Sequence, residues 1–329
     1  MNIKNKKTII EVNESSKRLD VFLSNYFQSV LSRNMIQKII KEKKIQIIDN
    51  GKIVPEKKIK PSLPINAGMK IIIEESIEPD KKEITIEPVP MELSILYEDP
   101  YLAIIHKPPG ISVHPGPNEK DKVTLLHGIL YHWKDLQNQT INLKERALSF
   151  RPGLVHRLDK MTEGVLLIAK NISTQWKLSR LFLTRNIQKT YIAWLLGLPP
   201  EDKGVIDLPL KRHPIYRLRM HVHPEGRRAI TEYEILKSIT SNHHRRYTKV
   251  KINLITGRTH QIRAHFHHLK CPVVGDELYY DVDEKVKKYG LLLLAKELSF
   301  IHPETNEPIH ISIEEPERFK EFEKKCIYY

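Results

Sequence analysis

A charged stretch with three prolines, residues 78–92 (EPDKKEITIEPVPME), divides this chain into two parts that are expected to fold separately. Each proline fixes φ and removes a backbone donor, and no amphipathic period runs through the stretch, so neither a helix nor a strand can bridge it. It reads as a linker. At 329 residues the chain is long enough for a core on each side. Residues 15–77 form a small α+β module. Residues 93–315 alternate strand-like runs such as YLAIIHK, GVLLIAK and YTKVKINLI with shorter helical segments. Residues 316–329 (PERFKEFEKKCIYY) read as a surface helix or tail. The fold class is therefore α+β, without internal repeats.

The small module carries two helical patterns. Arg18, Leu19, Val21, Phe22, Leu23, Tyr26 and Phe27 follow the possible caps Ser15 and Ser16, and Ile36, Ile39 and Ile40 follow Ser32. An Asn50-Gly51 pair between apolar runs predicts a hairpin, with a further strand after Gly68. Between Lys17 and Lys60 there are eleven Lys/Arg against four Asp/Glu, and Lys38, Lys41 and Lys44 are spaced to share a helix flank. Over the whole chain, 54 Lys+Arg exceed 40 Asp+Glu by 14. Such an excess points to a polyanionic partner. Its concentration in one small module favours a phosphate-contacting surface over a merely solvated one.

Cys271 and Cys326 stand alone, which argues against a disulfide framework or zinc ribbon and for a reducing compartment. The first residues lack a signal peptide's apolar core, and no apolar run approaches a membrane span's length. The expectation is a cytoplasmic protein. TGRTHQIRAHFHHLK clusters His260, His265, His267 and His268 and raises the question of a metal. It contains neither HExxH nor a carboxylate, so RNA-facing or structural histidines are the better reading.

The module's KRLDVFL, SRNMIQKIIKEKKI, NGK and INAGMKIII resemble an S4 RNA-binding domain. The larger part resembles the RluA-type pseudouridine synthases. HRLDKMTEG is similar to their HRLDxxTSG signature, with Glu163 where the family usually has Ser. ILYEDPYLAIIHKPPGISVHPGP resembles the opening strand pair and NKPxGxxVHP segment, with His106 in place of Asn. KTYIAWLLG resembles the K-x-Y segment, LITGRTHQIRAHFHHLKCPVVGDELY the block containing HQIR, and LLLLAKELSFIHPETNEPI the closing strand. The blocks keep their order. HVHPEGRRAITEY and SVHPGP look closest to the RluD branch, which modifies large-subunit (23S) ribosomal RNA.

The resemblance implies a mixed, mainly antiparallel central sheet flanked by helices and loops. It makes Asp159 the catalytic aspartate, Tyr191 the active-site tyrosine and Arg263 the residue beside the carboxylate. Arg157 would help expel the target base. His156 is grouped with it as a base-flipping candidate, although its type also suits loop support. Taken alone, Asp159 is an ordinary turn aspartate.

The implied reaction breaks the N1–C1′ bond of uridine and rejoins the base through C5. Nothing is oxidised or hydrolysed, so no cofactor, nucleotide or metal is expected. A carboxylate must attack either C6 of the base or C1′ of the sugar. Arg263 could hold it bidentately and keep it ionised, and Tyr191 could stack on uracil or help move a proton. A base inside folded RNA must first be flipped out. A monomer is expected, since RNA would complete the site. The alternatives are a non-catalytic RNA-binding or ribosome-assembly factor on the same fold, a synthase acting on tRNA, and a metal-dependent hydrolase using the histidines.

Overall fold

Period-2 and period-3.6 patterns alternate from residue 7 onward, and the elements they specify are seen in a computed structural model that describes residues 7–26, 33–74, 86–116, 122–136, 151–241 and 244–328. Two compact units are present: residues 1–86 with 137–152, and 87–136 with 153–329. Within 78–92, residues 86–92 are described and lie in no regular element.

In the first unit, β1 (Lys7–Glu11), β2 (Ile45–Asp49), β3 (Lys52–Ile53) and β4 (Lys70–Glu74) form an antiparallel sheet in the order β1-β4-β2-β3. Asn50 and Gly51 both take positive φ between β2 and β3, the backbone of a tight hairpin turn. Helices α1 (Leu19–Tyr26) and α2 (Arg33–Lys41) contribute Leu19, Leu23, Ile36, Ile39 and Ile40 to the core. Asp20, buried between them, accepts hydrogen bonds from Arg18 and from Gln37 Nε2 at 2.9 Å. The expected lysine flank is shorter than its spacing suggested. Helix α2 stops at Lys41 because Lys43 turns to positive φ, so Lys44 leaves the helix and pairs with Glu42 at 3.2 Å. Ser32 and the side chain of Lys38 lie outside the described residues.

The second unit runs β5 (Ser94–Glu98), β6 (Leu102–Lys107), α3 (Leu125–His132), β7 (Glu163–Ala169), α4 (Ile172–Leu183), β8 (Ile187–Leu196) and β9 (Lys203–Asp207). It continues with β10 (Leu210–Arg212), β11 (Met220–Val222), β12 (Ile230–Thr240), β13 (Arg246–Leu254), α5 (Gln261–His268), α6 (Glu284–Lys287), β14 (Leu293–Ile301), β15 (Pro308–Ser312) and α7 (Glu317–Tyr328). Nine of these strands make one sheet in the order β5-β6-β7-β14-β8-β13-β12-β9, with β15 beside the second half of β14. Among the described pairings in this sheet only β7–β14 is parallel, so the sheet is mixed and mainly antiparallel, as expected. β7 is buried at every residue, which explains its unbroken apolar run.

Gly164 is required where β7 meets β14. Its φ is +132°, and a Cβ there would lie 2.2 Å from the Ala295 carbonyl oxygen. The sheet can therefore close only behind a glycine at this point. The C-terminal segment corrects the sequence reading. It is a helix, but Phe319 and Phe322 are buried in the main core with Trp194, Tyr247 and Tyr289. One face of this helix packs into the core, with Phe319, Phe322 and Cys326 buried on it. No helix among the described residues is long and apolar enough to cross a membrane.

Candidate active site

The sheet register gathers the site. Ala295 of β14 pairs with Gly164 of β7 on one side and Tyr191 of β8 on the other. Tyr191 and Gly164, at the start of β7 just after the 159–162 turn, thus lie in one row, two strand spacings or about 10 Å apart. Tyr191 also pairs with Ile252 of β13, and β13 feeds the 255–260 loop and helix α5. Segments distant in sequence converge on this end of the sheet.

Asp159 occupies the first position of a turn closed by the Thr162 N–H donating to its carbonyl at 3.0 Å. Its carboxylate is 16% exposed, enough to meet a substrate. The loop is held from below. Lys107, fully buried at the end of β6, donates from Nζ to the carbonyls of Pro108 (2.7 Å) and Lys160 (3.1 Å). The Gly110 N–H also donates to Lys160 O at 2.9 Å. Burial pulls the Lys107 ammonium down to about 8, against the attraction of Asp159 and Glu163.

Arg263 reaches the loop from α5. Its Nη1 donates to Asp159 Oδ2 at 3.3 Å, while Nε and Nη2 grip Asp276 at 2.7 Å each. The expected bidentate clasp on Asp159 is therefore made on Asp276, and Asp159 receives one remaining N–H. Asp276 takes the Nε/Nη2 edge of the guanidinium, and Asp159 meets a single N–H of Nη1. Burial opposes the charge on Arg263, but hydrogen bonding to Asp276 and the attraction of both carboxylates raise it further above its ordinary value. It is a permanent cation. Tyr279 lies over the guanidinium with its ring centroid 5.3 Å from Cζ.

Helix α5 is fixed by Gln261, whose Nε2 donates to Ile230 O at 2.9 Å and Thr231 Oγ1 at 3.0 Å. Its Oε1 accepts from Thr256 Oγ1 and the Arg258 N–H. His260, just before the helix, has φ of +52°, a strained conformation for a non-glycine, and its Nε2 stands 3.9 Å from Asp159. Burial is the main cause that lowers its basicity. Tyr191 is buried, and burial first, then the Asp159 carboxylate, push its phenol well above the usual range. It stays a neutral O–H.

Arg157 is exposed and makes no ion pair among the described residues. His156 is not an outward group. Its Nε2 accepts the Leu167 N–H at 2.8 Å, its ring stacks on Phe182 at 4.8 Å, and burial drops it to about 3. Its grouping with Arg157 as a base-flipping residue is therefore corrected to loop support. His265 bonds Thr231 Oγ1 and Leu208 O, and no group of His, Cys, Asp or Glu side chains among the described residues could hold a metal.

The two departures from the family pattern meet each other. His106 Nε2 lies 3.1 Å from Glu163 Oε1, and Glu163 Oε2 accepts from Arg318 Nε (3.0 Å) and Nη2 (2.8 Å) of α7. Arg318 Nη1 donates to Tyr289 O and Leu291 O. Sequence reasoning singled out Asp159, Tyr191 and Arg263 but missed Asp276, Gln261, Lys107 and Arg318. All four stood inside quoted segments, yet nothing local marked them as partners.

Residues 101–268, just over half of the chain, match the family model described as RNA pseudouridylate synthase. The chain belongs to that family. The synthase is 38% identical over 322 residues to an uncharacterised RNA pseudouridine synthase of Aquifex aeolicus, covering 94% of each chain. It is 34% identical over 270 residues to ribosomal large subunit pseudouridine synthase D of Escherichia coli, covering 82% of this chain and 74% of that one. In fold it is similar to human RNA pseudouridylate synthase domain containing 1, with a TM-score of 0.53 and 24% identity over 73% of this chain and 87% of that chain. The enzyme is thus an isomerase of uridine in RNA.

Proposed function

We propose that this synthase isomerises specific uridines of large-subunit ribosomal RNA, as a cytoplasmic monomer, with Asp159 as nucleophile. The observation that carries the assignment of Asp159 is its partly open carboxylate, held by one N–H of an Arg263 that Asp276 already neutralises. A carboxylate gripped on both oxygens would be a poor nucleophile. One held by a single long contact keeps an oxygen free and its reach. Asp159 attacks C1′ of the sugar or C6 of the base, the N1–C1′ bond breaks, the turned base rejoins through C5, and the bond to Asp159 breaks to restore the free carboxylate. The C5 proton leaves and N1 gains one, so the product is an isomer. Tyr191, a neutral phenol in the same sheet row, lies against the base and takes part in that proton transfer. Arg157, with its free guanidinium, fills the gap the base leaves. The ribosomal target is supported by the likeness to the E. coli large-subunit enzyme. The basic first unit acts as an S4-like RNA-binding domain that adds affinity.

The test is a pseudouridine map by carbodiimide-blocked primer extension of total RNA from a strain lacking the enzyme, incubated with wild-type or Asp159→Ala protein. New stops in large-subunit RNA with wild type alone are expected. Identical maps refute the role of Asp159, and stops confined to transfer RNA refute the ribosomal target.

A further inference from the structure

A second concave site shares Tyr279 with the surroundings of Arg263. The hairpin of β10 and β11 closes over α5 and encloses a cavity of about 260 Å³, lined among others by His213, Tyr216, Arg219, His221, His267 and Tyr279. Lys270 and His268 complete its basic rim, and no carboxylate lines it. Tyr279 is a shared wall. Its hydroxyl accepts the Met220 N–H at 2.8 Å, its ring meets His267 at 5.5 Å, and the same ring carries the Arg263 guanidinium.

The cavity combines a cationic aromatic platform with a group of imidazoles. Arg219 packs its guanidinium 4.8 Å from the centroid of Tyr216, giving a planar platform with a positive charge. His213 and His221 stand 5.0 Å apart, and His221 and His223 5.4 Å. The His221 Nδ1 atom is buried without a hydrogen-bond partner. Imidazoles and cations packed together disfavour one another's charge, no carboxylate lines the cavity, and a phosphate supplies the missing negative charge and an acceptor for His221 Nδ1. Tyr216 is 57% exposed beside the exposed Ile215 and Leu218, so the platform is open to a base from solvent.

We propose that this cavity seats a nucleotide of the RNA strand next to the flipped uridine, its phosphodiester on Arg219, His213 and His221 and its base on Tyr216. The proposal rests on the synthase reading and adds to it a subsite that sets target choice through affinity. It also carries a sign for pH. Burial first, then His213 and His223, hold His221 below the ordinary imidazole range, against a hydrogen bond with the Lys211 backbone and with a smaller repulsion from the Lys211 ammonium. Burial, then Arg219 and Lys270, do the same to His267, opposed by Asp276 and helped by His268. In the free enzyme these surroundings favour the neutral form of both rings. A phosphate favours their charged forms, so seating the RNA takes up protons and tightens toward pH 6.

The experiment uses the full-length enzyme and a ribosomal RNA fragment carrying a mapped target, with KM and kcat measured from pH 6 to 8. Arg219→Gln and Tyr216→Ala are each expected to raise KM about tenfold with kcat within about twofold. Arg219→Gln should also lower the salt slope of binding by about one phosphate contact. Wild-type KM should rise with pH, and His221→Gln should flatten that rise. Tyr216 is exposed, so its variant tests the platform without threatening the fold. Unchanged KM in both Tyr216→Ala and Arg219→Gln overturns the proposal, as does a loss confined to kcat. If wild type makes no pseudouridine, the functional reading fails instead. Fluorescence anisotropy with the same RNA then decides the subsite, and equal affinity of an acidic peptide would overturn its assignment to RNA.

Discussion

Replacing Asp276 with Asn removes one charge from the centre of the site while keeping its shape. Arg263 is 7% exposed and makes both short hydrogen bonds of its fork to Asp276. Removing one partner of a buried ion pair costs about 3–5 kcal/mol, because the other charge is left desolvated. The amide oxygen of Asn still accepts one hydrogen bond, worth about 1 kcal/mol. Asp159, 3.3 Å from Nη1, also takes over part of the attraction. The expected net loss is about 3 kcal/mol, or about 6–12 °C in the melting of a unit of this size. Activity should fall further than stability. Freed from Asp276, the guanidinium turns its fork onto Asp159, and a displacement of about 1 Å at the nucleophile can cost about 100-fold in rate. Urea unfolding followed by circular dichroism gives the first number, and tritium released from C5 of labelled uridine in RNA gives the second. A variant within 1 kcal/mol of wild type on urea unfolding, or one with kcat within about twofold, would refute the account in which Asp276 sets the grip of Arg263.

Three other substitutions probe the frame around the nucleophile. Gly164→Ala should destabilise by about 3 kcal/mol or more, since its Cβ would lie 2.2 Å from Ala295 O and its φ disfavours any side chain; a normal urea midpoint would contradict the close approach of β7 and β14. Burial holds the Lys107 ammonium at about 8, below the ordinary lysine range, so its charge is a penalty below pH 8 that is relieved as pH rises. Wild type should therefore gain about 2 kcal/mol on Lys107→Met between pH 7.5 and 9.5, and parallel stability curves for the two proteins would count against a desolvated ammonium. Glu163→Gln should cost about 2–3 kcal/mol at pH 7 by unpairing Arg318 and His106. Burial raises the Glu163 carboxyl, but the hydrogen bonds of His106 and Arg318 bring it below the usual range. Its contribution is full above about pH 4.5 and is lost as pH falls through the lowered value, so the gap between variant and wild type should close in acid; a constant gap would refute the ion pairing.

The sequence by itself determined what depends on neighbours along the chain. The Asn50-Gly51 hairpin, the buried β7 run and the two helical stripes of the first unit follow from turn chemistry and apolar period. The ordered motifs around Asp159, Tyr191 and Arg263 were legible for the same reason, since each is a continuous string. Tertiary structure decided what depends on side chains meeting across the fold. Arg263 and Asp159 are 104 positions apart, and Arg318 and Glu163 are 155 apart, so no local pattern could pair them. The sharing of one guanidinium between two carboxylates, the inward turn of His156 and the packing of Phe319 and Phe322 into the core belong to this second class. The physical reason is that period and turn chemistry are encoded within a few residues. The partner of a buried charge is chosen by which strand lies next to which, and the sheet order alone records that.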